Sequence, residues 1–287
     1  MTASLETLVV AAYVFADDAT IPRPGPRGEI TDAELVALAV AQAAMGIPSD
    51  RQFLGLVAKV LPGWFPHLPC QSQYNRRLRR LAPTLARVQL RIADVLASGE
   101  LRIADGTLLG VANYAGCASR SEFAGIAAYG FCPSKSQYVW GMRLVLVTDA
   151  NGLPLGYTLV AANEKEYEPV RELTSAHAGC TLIADKGLWG REYAEILALQ
   201  EVTILTPERR RSADNDERER RLAGLRLVIE STFSNLKRQM RLEQHLAKTP
   251  AGLVQRIVQR LLALTIGMLL NSLTGRPPRA LVAYDGR

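Results

Sequence analysis

The chain has 287 residues, 48% hydrophobic and 22% charged, a composition that excludes a chain too short or too polar to bury a core and fits one large or two ordinary soluble domains. A net charge of +6 favours an acidic partner. Four cysteines at 70, 117, 132 and 180 stand far apart with no C-x-x-C and no matched histidine pair, which reads as reduced thiols in a cytosol and not as a zinc or disulfide framework.

Residues 4–16 read as a helix; the apolar run Leu8 to Ala16 follows Glu6 and no basic region, so a signal peptide is not expected. Ile21 to Gly28 is rich in Pro and Gly and predicts an irregular link. Thr31 with Glu34 forms a capping box for a helix ending near Met45, and Ser49 or Asp50 caps another from Arg51 to about Val60. This pair is compatible with a helix-turn-helix or with a plain bundle. Gln71 to Ser98 is predicted mostly helical, with Pro83 as a break. Arg76, Arg77, Arg79 and Arg80 crowd its first half, where phosphates would relieve their repulsion; a solvated face is the alternative.

From Leu101 the pattern changes to strands. Gly110 to Gly130 reads as a loop and Lys135 to Tyr138 as a basic approach to a hairpin; Tyr138 to Thr148 and Leu153 to Ala162 flank the turn Asp149 to Gly152. A short helix over Pro169 to Ala176, a strand ending at Asp185, a helix over Arg191 to Gln200 and a strand over Val202 to Thr206 complete the order β-β-β-α-β-α-β-α. Arg209 to Arg221 is highly charged and predicted exposed. Pro250 to Leu273 is predicted to pack as an apolar helix on the sheet; its most apolar stretch, Leu261 to Leu273, is too short to span a bilayer. Gly275 to Arg287 is expected to fray.

The stretch Leu222 to Arg241 organises the rest. Leu222, Leu225, Ile229, Phe233, Leu236 and Met240 recur by threes and fours as one buried helix face. A second row holds Arg226, Glu230, Ser234, Lys237 and Arg241, which alone would pass for a solvated face. Two short apolar runs, LRIADGTLL and TLIADKG, each carry an acid, Asp105 and Asp185, shortly before a glycine. Either acid alone could form a turn. With Glu230 they supply the three hard carboxylates that a pair of Mg²⁺ ions needs.

Asp105, Asp185 and Glu230 resemble the DDE triad of bacterial insertion-sequence transposases, and Arg226 and Lys237 complete an R-x3-E-x6-K signature around the last acid. The likeness is nearest to the insertion-sequence family numbered 982, related to the groups numbered 4 and 5, and runs from about Thr31 to Leu273. It departs at Ala223, where the family usually has Tyr, and at Leu188 and Trp189 after the second acid.

The resemblance implies an α/β, RNase H-like mixed sheet flanked by helices at 100–275, after an all-helical DNA-binding region at 1–99 and before a tail at 276–287. It implies cleavage at element ends and joining of 3′-hydroxyls to target DNA, with two Mg²⁺ ions (or Mn²⁺) held by Asp105, Asp185 and Glu230. Arg226, Lys237 and Arg241 are expected on phosphate, with Arg76, Arg77, Arg79 and Arg80, while Lys186 either meets phosphate or neutralises the acidic cluster. Asn163 and Glu166 match a polar motif of similar transposases and either support the site or cap a helix. Trp189 would stack on an unpaired base or pack in the core. The expected partner is double-stranded DNA, bound by a homodimer or larger synaptic complex in the bacterial cytoplasm, with no membrane and no nucleotide cofactor. A nuclease of the same fold without strand transfer, and an inactive DNA-binding descendant, are the alternatives.

Overall fold

The computed structural model describes residues 3–19, 29–114, 116–188, 190–207 and 216–286. The Pro-rich stretch to Gly28, Trp189 and Arg209 to Arg211 lie outside these residues. Helices α1 (Leu5–Ala19), α2 (Asp32–Ala44), α3 (Asp50–Val60) and α4 (Gln71–Leu96) come first. Strand β1 (Leu101–Gly110), the short helix α5 (Cys117–Arg120), and strands β2 (Ala128–Cys132), β3 (Gln137–Asp149) and β4 (Pro154–Ala161) follow. Then come α6 (Tyr167–Thr174), β5 (Thr181–Ile183), α7 (Arg191–Ala198), β6 (Thr203–Leu205), α8 (Asp216–Ser234) and α9 (Pro250–Leu273). The chain divides into two compact units, one from Leu96 to Phe233 and one uniting the residues up to Val95 with those from Ser234 on.

The first unit is a mixed sheet. β3 pairs antiparallel with β4 and with β1, and β1 pairs parallel with β5, which pairs parallel with β6. The resulting order β4-β3-β1-β5-β6 is the RNase H-like arrangement that the element pattern predicts. The β3–β4 hairpin forms because Asp149 Oδ1 accepts from the backbone N–H groups of Asn151 and Leu153 at 2.8 and 2.9 Å, while Gly152 takes φ +83°. Val145 and Val147 of β3, Ala104 of β1 and Leu182 of β5 are buried with Val170 of α6 and Leu197 of α7. Each of these Val and Leu side chains contributes on the order of 1.5–3 kcal/mol. Thr232 of α8 donates to Gly152 O at 2.9 Å, which fixes that helix on the hairpin turn.

In the second unit the capping box of α2 is complete: Thr31 N donates to Glu34 Oε2 at 2.6 Å and Glu34 N to Thr31 Oγ1 at 3.1 Å. Ser49 caps α3. α9 packs against α1 and α2, not on the sheet as its apolarity suggested. It is long and apolar enough to cross a bilayer, yet 89% of its apolar window is buried in the fold. Its buried Arg256 meets buried Asp50 at 2.6 Å, and Gln42, Tyr74, Asn75 and Gln259 complete that polar cluster.

Four other expectations are corrected. α4 runs through Pro83, because Leu78, Leu81, Leu85, Val88 and Ile92 are buried on both sides of it and offset the roughly 3 kcal/mol that an interior proline costs. The loop Gly110 to Gly130 contains α5 and leads into β2, which forms an antiparallel hairpin with the start of β3, Cys132 facing Gln137. α8 starts at Asp216, so the charged run before Leu222 is partly helical, with an Arg221–Glu217 pair one turn apart. The tail does not fray: Leu281 and Tyr284 are buried, and Tyr284 donates to Asn271 Oδ1 at 2.8 Å.

Candidate active site

The parallel pairing of β1 with β5 runs Leu101 to Thr181, Arg102 to Leu182 and Ile103 to Ile183. Two residues further along each segment lie Asp105, inside β1, and Asp185, past the end of β5, near enough for the charge of Asp185 to act on Asp105. Asp105 is partly buried and its carboxylate accepts from Gly106 N at 2.8 Å. Burial drives its pKa up, the Gly106 N–H opposes, Glu166 raises it, Arg226 lowers it and Asp185 raises it, leaving it at about 6. Crowded carboxylates of this kind are relieved by a cation.

Asp185 opens a 3-10 turn over Lys186–Leu188, anchored by the buried Leu188. Tyr167 donates to Gly187 O in that turn at 2.7 Å, and Tyr193 donates to Tyr167 O at 2.8 Å with the two rings edge to face at 4.8 Å. The loop carrying Asp185 is therefore held from α6 and α7. Arg226 of α8 reaches Asp185, with NH1 to Oδ1 at 3.1 Å. Glu230, one turn further along the same helix, is exposed and makes no hydrogen bond or ion pair among the described residues.

Glu166 was singled out in the sequence; Arg143, Gly106, Tyr167 and Tyr193 were not. Arg143 of β3 bonds Glu166 Oε1 at 2.5 Å and Ala162 O at 3.2 Å. A Cβ at Gly106 would lie 2.4 Å from Glu166 Oε1, so the glycine makes room for that carboxylate against β1, next in sequence to Asp105. Strand alternation puts Gly106 and Asp105 on opposite faces. No sequence signal marks Arg143, since its partner is 23 residues away.

The other expected DNA contacts are scattered. Lys186, Arg76, Arg79 and Arg80 are exposed. Arg77 is already engaged, donating to Asp32 at 2.6 Å and to Ile30 O at 2.9 Å. A hollow of about 310 Å³ beside Arg76 and Arg77, lined also by Gln73 and His67, lies in the helical unit and not at the acids. The row Arg226, Glu230, Ser234, Lys237, Arg241 is not one continuous α-helical row. α8 closes at Ser234, Asn235–Gln239 form a π turn, and Arg241 adopts φ +52°. Gln239 and Asn235 donate to Leu281 O and Arg279 O, and Arg260 donates to Met240 O at 2.7 Å, which explains the departure from α geometry. Lys237 lies 3.7 Å from Glu243.

Carboxylate oxygens are the donors that Mg²⁺ prefers, so the chemistry of the set fits that ion. Among the described residues, however, no three His, Cys, Asp or Glu side chains are gathered closely enough to hold a metal. The structure brings Asp105, Asp185 and Arg226 together and leaves Glu230 apart from them.

The strand order β4-β3-β1-β5-β6, with β1, β5 and β6 parallel, places the chain among RNase H-like α/β proteins. The Transposase DDE domain family matches residues 97–266, more than half of the chain, and the chain belongs to that family. No curated protein matches it. Among solved structures it is similar to the Mos1 transposase paired-end complex with left transposon end, at 11% identity and a TM-score of 0.25, over 78% of this chain and 82% of that one. A likeness so slight carries no argument.

Proposed function

We propose that the chain is the transposase of an insertion sequence akin to the family numbered 982, which cuts at the element ends and joins their 3′-hydroxyls to target DNA. The nearness of Asp105 and Asp185, with Arg226 reaching Asp185 from the helix that also carries Glu230, is the observation that carries this reading. Two Mg²⁺ ions, or Mn²⁺, would activate the attacking water or hydroxyl and neutralise the leaving oxygen. Asp105, Asp185 and Glu230 would hold them, once Glu230 turns inward.

Arg226 presents a planar fork to a phosphate, and Lys237 a point charge. Lys186, Arg241 and the exposed Arg76, Arg79 and Arg80 add phosphate contacts that are independent of sequence, while Arg77 mainly supports α2. The helical unit reads the element end. Two ends must be joined, so the working form is a homodimer or larger assembly on DNA, in the bacterial cytoplasm on the nucleoid. We keep the division at residues 99 and 275 as the functional one.

Joining decides between a transposase and a nuclease of the same fold. Given a duplex that ends in the element terminus with a free 3′-hydroxyl, plus a supercoiled plasmid and Mg²⁺, the chain should produce joined product. Cutting without joining would favour the nuclease.

A further inference from the structure

We infer that Arg226 is a latch on Asp185, exchanged to a DNA phosphate when an element end binds, so that DNA binding frees Asp185 for the metal. The inference rests on the reading of Asp185 as a metal ligand and goes beyond it. A guanidinium holds one oxygen of Asp185 at 3.1 Å, and its charge repels a cation arriving there.

Three observations make the contact exchangeable. The Arg226 and Asp185 side chains are 27% and 50% exposed, so the pair is partly solvated and has the weak net strength of a surface ion pair. Asp185 is the fixed partner, because Tyr167 holds the turn that follows it by the hydroxyl bond to Gly187 O. Arg226 is the mobile one, on a long side chain from α8, and its fork suits a phosphate as well as a carboxylate. Glu230 leaves the helix one turn on, so a phosphate drawing Arg226 away arrives beside the third acid. Coupling of this kind is reciprocal: DNA should raise metal affinity by the factor by which metal raises DNA affinity.

The test is Mn²⁺ binding by the full chain, followed through the paramagnetic resonance of the free ion. It is run with and without a mixed-sequence duplex at low salt, with binding to the duplex alone subtracted. Arg226→Gln keeps a good helix former at a partly exposed position and should fold normally. Without DNA it should bind Mn²⁺ about two- to fivefold more tightly than the native chain, the factor expected for a surface ion pair. The duplex should tighten Mn²⁺ binding to the native chain and leave Arg226→Gln unchanged. Arg226→Lys, which keeps the charge but not the fork, should fall between them. If Arg226→Gln binds Mn²⁺ no more tightly, or responds to DNA as the native chain does, the latch is wrong. Asp185→Asn separates the two claims: it should lose Mn²⁺ affinity, and if it does not, the ligand reading fails and the latch with it.

Discussion

Asp105, inside β1, and Asp185, past the end of the neighbouring parallel strand β5, each lie two residues beyond the paired Ile103 and Ile183, and the charge of Asp185 raises the pKa of Asp105. Neither is adjacent to the other in sequence, and only the crossover from β1 to β5 unites them. Consequences for stability follow directly, because like charges brought together where water is partly excluded are costly.

Asp105 should make folding stability fall as pH rises. Its carboxyl sits at about 6 in the fold against an ordinary 3.8. A folded-state pKa above the unfolded one contributes stability that is complete below pH 4 and lost as pH rises through 6. Asp105→Asn should therefore be more stable than the native chain by about 1–3 kcal/mol at pH 7.5, and no more stable near pH 4. Denaturant midpoints at the two pH values, without added divalent metal, give the comparison; an equal effect at both would mean that Asp105 is not perturbed.

Two glycine substitutions should behave oppositely. At Gly141 an added Cβ would lie 2.0 Å from the backbone oxygen of Leu109, across the β1–β3 pairing, where nothing can yield cheaply. Gly141→Ala should cost about 3 kcal/mol or more. At Gly55, inside α3, a Cβ would meet nothing within 4 Å, so Gly55→Ala should stabilise by about 0.5–1 kcal/mol. Thermal melts of both variants check the sign of each.

Asp50→Ala removes the acid that neutralises buried Arg256 and accepts from Gln42 and Asn75. Leaving a buried guanidinium uncompensated costs about 3–5 kcal/mol. Arg260 adds to the burden, since burial and the neighbouring Arg256 already pull its pKa down to about 9 while Asp50 holds it up. A loss below 1 kcal/mol in urea unfolding would show that water reaches the cluster.

Tyr167→Phe deletes the hydroxyl that holds the turn after Asp185. Stability should change little, by about 0.5–1.5 kcal/mol. If Asp185 holds a metal, the Mg²⁺ concentration for half-maximal cleavage should rise about tenfold, as when a support behind a metal ligand is lost. A variant cutting at native Mg²⁺ concentrations would show that the turn needs no such support.

What the sequence disclosed was local. The Thr31–Glu34 box and the Asp149–Gly152 turn declare themselves within a few residues and stand in the fold, and both Asp-bearing apolar runs form strands, although β1 continues through Asp105 to Gly110 instead of ending there. What it hid depended on distant partners. Arg143 is unremarkable until Glu166 and the space over Gly106 are in place. The C-terminal tail looks frayed until Gln239 and Asn271 bind it, and the same grip turns the predicted row beyond Ser234 into a π turn. α9 reads as a generic apolar helix, and only the network around Asp50 shows why Arg256, Gln259 and Arg260 interrupt its apolar face.

The most direct measurement is cleavage of a labelled duplex spanning the end of the encoding element and its flank, with Mg²⁺ or Mn²⁺. The native chain is compared with Asp105→Ala, Asp185→Ala and Glu230→Ala. The account predicts cutting at the element end by the native chain alone, with each variant reduced at least about a thousandfold, the loss of a few kcal/mol of transition-state stabilisation. Persistent cutting by any one variant would remove that acid from the metal site, and a native chain that binds the end without ever cutting it would contradict the transposase reading.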